Sequence, residues 1–345
     1  MMVRPGAVIW GFTWGVAASL CGFGCGSGGE GDTFDFNTGT ATSPGPTGGP
    51  TSTAGSDSGG TAADTGNGPG GTGVDGTSTA GDSGSGGSED TGPGVVPGEP
   101  CVGVDLIFVI DNSETMAEEQ SRLIGSASAW VNQLNTNIPS GVDGFHIGVL
   151  TTDDSTFKAT DGEGTPCGPY DSGEPWIELG ANLGTELACA LNQGIAGDPD
   201  ERPIENLLAS VDDDALMPGG VHEGFLRDDA LLVVVLMTDE EDDIEPATQW
   251  GSVGDPAEWA DTIAAHKGGF KQNVVVLSLL GHEPPNACPP FQWDGMTGAE
   301  IATRLIDFTN RFPAGAVGDV CDLEYNSFLS SVVAGVAAAC GNVAS

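Results

Sequence analysis

Residues 105 to 116 read DLIFVIDNSETM, an apolar run that delivers Asp111, Ser113 and Thr115 at alternate positions just past its end. A second apolar run, LLVVVLMTDEEDD, releases Thr238 and Asp239 in the same way. Carboxylates and hydroxyls gathered at two strand ends are what a hard divalent cation binds. Asp111, Ser113, Thr115 and Asp239 are therefore the candidate metal ligands. Four further oxygen donors stand in supporting positions: Thr152 and Asp153 at the end of FHIGVLTTD, and Asp200 and Glu201 in the loop GDPDERPIENLL.

These side chains converge only if their strands lie side by side, and the chain from residue 104 onward is patterned for that. Apolar runs at 104–110, 145–152, 230–238 and 273–281 read as strands, the first continuous enough to be buried on both faces. Helical stretches at 114–136, 183–193, 203–211, 256–267, 298–312 and 324–339 alternate with them. The pattern predicts a doubly wound α/β fold, with a mostly parallel sheet of about six strands flanked by helices. Ligands of such sheets sit beyond the carboxyl ends of the strands, where Asp111, Thr152, Asp153 and Asp239 would gather.

The remainder of the chain is of another kind. Residues 26 to 99 contain no Lys or Arg and repeat Gly, Ser, Thr, Asp and Pro, as in TSTAGSDSGG and TSTAGDSGSGG. Too little apolar surface is available there to offset the entropy of ordering, so the segment reads as a hydrated tether. An unfolded chain of about 75 residues spans roughly 45 to 50 Å. Ahead of it, Arg4 and the run AVIWGFTWGVAASL have the layout of a secretory signal. The apolar part, roughly 14 residues, is shorter than the ~20 that a membrane-spanning helix needs. The expected organisation is a signal over 1–25, a tether over 26–99 and a folded domain over 100–345.

Ten of the 50 acidic residues and one of the nine basic ones fall in 1–99, leaving a formal charge of −32 on 100–345 against −41 for the whole chain. That balance excludes nucleic acid as a partner. Of eight cysteines, two lie by the signal. The region resembles a bacterial lipoprotein signal, with Cys25 after Gly24 as the lipidated residue and Cys21 as the alternative. The other six suit an oxidising compartment, and although they allow many pairings, Cys101 with Cys340, Cys167 with Cys189 and Cys288 with Cys321 are favoured.

The loop Asp111-Asn112-Ser113-Glu114-Thr115 resembles the Asp-x-Ser-x-Ser loop of von Willebrand factor type A domains, whose metal-ion-dependent adhesion site follows the first strand. Thr115 stands where the family has a second serine. Asp239 is similar to the family's fourth-strand aspartate, with Glu240 in place of the usual glycine. The family's ligand threonine has no clear counterpart: Thr185 lies early, and Asp200 or Glu201 occupies the matching loop, which makes the site more acidic and weakens its pull on an acidic ligand. The resemblance covers about 102 to 340, and VDLIFVIDNS, GVLTTD and FLRDDALLVVVLMTDEEDD look like a branch of these domains found in exported lipoproteins of myxobacteria and their relatives. It implies a non-enzymatic role in protein binding at the cell surface or in the periplasm, while the lipoprotein-like signal, with Gly26 rather than an aspartate after Cys25, leads to the expectation of a lipid anchor at the outer membrane without a spanning helix. Mg²⁺ or Ca²⁺, with Mn²⁺ as a further candidate, would bridge the domain to an acidic side chain of a protein partner.

Plainer readings stand beside these. Asp111 and Ser113 are also residue types that cap helices. The acidic run Glu240 to Asp243 reads as a solvated loop or a second cation site. Arg227, followed by two acids, reads as an ion-paired junction before a strand. His146 reads as a core histidine, and His222, His266 and His282 lack zinc-ligand spacing. GSDSGG echoes a serine-protease motif within a low-complexity run that produces such strings by chance. A metal-dependent hydrolase would need a second metal at Asp153/Asp154 or Asp242/Asp243, and a metal-free envelope scaffold is the third alternative.

Overall fold

The computed structural model describes residues 100–139, 142–198, 200–243, 251–292 and 297–343. The signal segment, the lipidation candidates Cys25 and Cys21, and the tether lie outside these residues. Five strands form one all-parallel sheet: β1 (Gly103–Ile110), β2 (Phe145–Thr151), β3 (Ala230–Met237), β4 (Val274–Leu280) and β5 (Ala316–Asp319), in the order β2-β1-β3-β4-β5. The described residues thus contain five strands rather than about six.

Every residue of β1, β3 and β4 is buried, because helices cover both faces of the sheet. Alternation along β1 shows the two layers. Leu106, Phe108 and Ile110 face α1 (Ala117–Asn137), α2 (Leu183–Leu191) and α7 (Asn326–Cys340), and Phe108 meets Trp130 edge-on at 6.4 Å. Ile107 and Val109 join the opposite layer with α3 (Pro203–Ser210), α5 (Pro256–Ala265) and α6 (Thr303–Asn310); the four-residue α4 (Asp213–Leu216) follows α3. The fold is a doubly wound, Rossmann-like α/β sheet. Its strand order reverses between β1 and β3, so the crevice beyond their carboxyl ends is where such a fold binds ligands.

Each of the three favoured cysteine pairs is a disulfide: Cys101–Cys340, Cys167–Cys189 and Cys288–Cys321. They fit an extracellular or otherwise oxidising environment. No helix among the described residues is long and apolar enough to cross a membrane.

At the opposite end of the sheet from the crevice, Asp105 is fully buried in β1 and gathers two cations. Arg227 donates to it from its backbone N–H and Nε, each at 2.8 Å. Lys267 Nζ reaches it at 3.2 Å and also donates to the carbonyls of Arg227 at 2.6 Å and Ala230 at 3.0 Å. Arg227 is an ion-paired junction as expected, but its partner is Asp105 across the sheet, not one of the two acids that follow it.

Candidate functional site

β1 ends at Ile110 and its backbone continues straight into the site, since Asp111 N–H still donates to Met237 O at 3.0 Å. Helix α1 does not begin until Ala117 and has no side-chain cap, so Asp111 and Ser113 are not spent on capping it. The loop between folds around the Asp111 carboxylate instead. Oδ1 accepts from Ser113 N–H at 2.7 Å, and Oδ2 accepts from the Thr238 hydroxyl at 2.7 Å. Ser113 Oγ lies 3.3 Å from Thr115 Oγ1, and Thr115 donates to Asp239 Oδ1 at 3.2 Å. Asp111, Ser113, Thr115 and Asp239 thus form one connected group of oxygens at the β1/β3 switch point.

The supporting donors divide. Thr152 is fully buried at the end of β2, its hydroxyl 3.5 Å from Asn112 Oδ1. Glu201 is buried beside the Thr152 hydroxyl and the Asp111 carboxylate. Asp153 spends Oδ2 on Asp198 N–H at 3.1 Å, while its buried Oδ1 is unpartnered. Asp200 is only half-buried, at the margin of the group. Thr185 is exposed on α2 and takes no part.

None of the ion pairs among the described residues involves Asp111, Asp239, Glu201 or Glu240. Carboxylates crowded without a counter-charge hold protons tightly. Burial, and then Asp111, push Glu201 up to about 11 and Asp239 to about 7. Burial followed by Asp111 and Asp239 lifts Glu240 to about 8, and burial raises Asp111 itself. The donor types, oxygens alone from carboxylates and hydroxyls, are those a hard divalent cation takes, while no three carboxylates of the group bring oxygens within 4.8 Å of one another.

The acidic run after β3 is neither a solvated loop nor a cation site through its middle. Glu241 caps α6, accepting from Arg304 N–H at 2.7 Å and Leu305 N–H at 3.3 Å. Fully buried Asp242 accepts from the Ser252 hydroxyl at 2.7 Å and Ile204 N–H at 3.2 Å. Only Asp243 of the run is exposed. A separate group, Cys288, Asp319 and Cys321, brings three potential ligand atoms within 4.8 Å of one another, but its sulfurs are joined in a disulfide and offer no thiolate.

Sequence reasoning missed the residues that hold the site in place. Gln120 Nε2 donates to Asp111 O at 2.9 Å and Gly194 O at 2.7 Å, and its Oε1 accepts from Gln193 N–H at 3.1 Å. Its signal was available: Gln120 is a polar residue in the buried stripe of α1, between Met116 and Leu123. Asn206, which donates to Thr152 O, carried no comparable signal.

The histidines are structural. His146, half-buried on β2, places Nδ1 2.7 Å from Phe225 O beside the Trp176 ring. His222 is buried with Nδ1 at 2.7 Å from Ser210 O and Nε2 accepting from Phe157 N–H at 3.0 Å, an arrangement that requires the neutral ring. Burial holds its pKa below the ordinary 6.5. The unfolded chain therefore takes up this proton first as pH falls, so the contribution of His222 to stability is complete above 6.5 and is lost as pH drops through the lower, folded value. The raised carboxylates push global stability the other way, so the check must be site-resolved. Imidazole ¹⁵N spectra should show the His222 ring still neutral below the ordinary 6.5; protonation at or above that value would contradict the arrangement.

No protein family and no curated protein matches the chain. Among solved structures, proximal thread matrix protein 1 from the mussel byssus matches in one crystal form at 14% identity and TM-score 0.40, covering 68% of this chain and 48% of that one. A second structure of the same protein gives 15% and 0.37, with 72% and 48% covered. The pilus adhesin SpaC from Lactobacillus rhamnosus GG, in its open conformation, gives 13% and 0.37, with 70% and 31% covered. The chain spans about half the length of the mussel protein or less, and likeness at this level carries no argument.

Proposed function

We propose that residues 100–345 form a von Willebrand factor type A domain that binds a protein partner through a divalent cation at the cell envelope. In this reading Asp111, Ser113, Thr115 and Asp239 hold Mg²⁺ or Ca²⁺, with Mn²⁺ as a substitute, and an acidic side chain of the partner completes the shell. The chain is not an enzyme. It is carried on the tether and anchored by lipid at Cys25, or Cys21, in the outer membrane.

The observation that carries this reading is the convergence of Asp111 and Asp239 from adjacent strand ends, joined through Ser113 and Thr115, with no cationic side chain among the described residues paired to either. The rival hydrolase reading is weakened because one carboxylate of each pair needed for a second metal is engaged elsewhere. Asp154 pairs with Lys158 at 2.8 Å, and Asp242 holds Ser252 and Ile204.

Thermal melting tests the reading. A ligand that binds only the folded state at about 100 times its Kd stabilises by about 2.7 kcal/mol. The EDTA-treated protein should gain several degrees in Tm on adding Ca²⁺ or Mg²⁺, and Asp111→Ala should abolish the gain. The metal-free scaffold alternative gives no shift for either protein.

A further inference from the structure

The connection from β4 to α6, at the same end of the sheet as the oxygen cluster, reads GHEPPNACPPF over 281–291. With the residues just ahead of α6 it encloses a groove of about 520 Å³. Exposed Pro284, Pro289, Pro290 and Ile301 form its walls, and buried Ala299 lies at its base. Ile301 is 39% exposed, one of few large apolar side chains that face water among the described residues. Contiguous apolar surface in a concave site of this size marks a place where a ligand is bound.

The walls are fixed in place before anything binds. Gly298 has a φ of 82°, and a Cβ there would collide with the Pro289 carbonyl, while one on Gly281 would collide with that of Glu300. Only glycine lets these segments approach so closely. Cys288 is tied to Cys321, and Ala287 N–H donates to the Asp319 carboxylate. Glu300 joins the other wall to the end of β3: its N–H donates to Asp239 O at 2.8 Å, and its Oε2 accepts from Glu241 N–H at 3.1 Å. A groove formed in advance spares its ligand part of the cost of ordering both surfaces.

Charge selects the occupant. Glu300 lines the groove, exposed Glu283 adjoins Pro284, and among the described residues no Lys or Arg lines it. The tether over 26–99 carries ten acidic residues and no Lys or Arg, and a second copy brings a formal charge of −41, so like charge opposes both. We propose that the groove docks a basic segment of a partner protein, whose bulky apolar side chain enters between the prolines and Ile301 while flanking Lys or Arg face Glu283 and Glu300. An aromatic anchor in a desolvated pocket, with cationic neighbours at its rim, is the kind of contact that carries most of an interface's binding energy. The proposal goes beyond the cation reading and does not depend on it.

Panning a displayed library of short random peptides on the immobilised full chain tests this, with an enriched sequence then synthesised with a fluorophore and titrated by anisotropy. The chain should enrich sequences that set Trp, Phe or Leu beside Lys or Arg. Ile301→Ser and Pro290→Ser, both at exposed positions, should each weaken the enriched peptide by about tenfold. Glu300→Gln should weaken it less and flatten its dependence on salt. Circular dichroism confirms that each variant folds. Equal affinity for wild type, Ile301→Ser and Pro290→Ser, the result expected of a basic peptide adhering anywhere on an acidic surface, overturns the site. Enrichment of acidic or wholly polar sequences, or of none, overturns the occupant. Self-association of the wild-type chain that Ile301→Ser abolishes puts a second copy in the groove and overturns it equally. EDTA should leave the affinity unchanged; affinity that EDTA removes puts the peptide on the cation instead and overturns the groove.

Discussion

Replacing Asp105 by alanine is expected to destabilise the fold by about 3–5 kcal/mol. Asp105 lies in the central strand with no exposure, and two cationic side chains are folded onto it. Lys267 is itself fully buried, and burial already depresses its pKa against the pull of Asp105. Without the carboxylate, Lys267 keeps only the Arg227 and Ala230 carbonyls, and Arg227 retains the Val104 carbonyl at 3.0 Å. Uncompensated buried charge is what makes such a truncation costly, not the loss of one favourable pair. The effect reads directly in the urea midpoint at constant slope. Asparagine at 105 should recover part of the loss, because it still accepts hydrogen bonds. A midpoint unchanged in Asp105→Ala would contradict the role assigned to this triad.

The second large effect lies at the ends of the domain. Cys101–Cys340 joins residues 239 apart in sequence, so it closes almost the whole folded domain into one loop. On the chain-entropy estimate, removing such a bridge costs about 5 kcal/mol, against about 3 kcal/mol for a bridge like Cys167–Cys189 with a separation of 22. The local contacts point the same way. Cys101 N–H donates to Cys340 O at 2.6 Å where the chain enters β1, and α7 ends at Cys340. Without the covalent link, α7 is held by Leu329, Val333 and Val336 against the sheet, and its end frays. The paired variant Cys101→Ser/Cys340→Ser should therefore lose more stability in urea than Cys167→Ser/Cys189→Ser. An equal or smaller loss would contradict the entropic account.

Much of this architecture can be read from residue order because the central strands are both-face-buried. Runs such as LIFVI and LLVVVLM have few alternatives, and their oxygen-bearing ends follow from them. β5 is harder: AVGD is four residues long, half-exposed at its start, and carries no pattern distinguishing it from a turn. The expected helix at 298–312 shortens to Thr303–Asn310 because Glu300 and Ala302 are drawn into backbone bonds with Asp239 and Gly281.

The site divides along the same line. Asp111, Ser113, Thr115 and Asp239 are set by the two strands that carry them. Glu201 could be named only as one of two candidates, since its entry into the site depends on Gly197 against Asn112 and on Gln120, contacts between segments far apart in sequence. The acidic run misleads for the same reason. Glu241 and Asp242 look solvent-facing until the backbone N–H groups they satisfy, on α6 and at Ile204, are known.

The central claim is that oxygens from β1 and β3 ends hold one divalent cation. Isothermal titration of the EDTA-stripped, dialysed protein with CaCl₂, repeated with MgCl₂ and MnCl₂, tests it most directly. A single saturable site in wild type that vanishes in both Asp111→Ala and Asp239→Ala is the predicted result. Binding that survives either substitution unchanged, or no binding by the wild type, would contradict it.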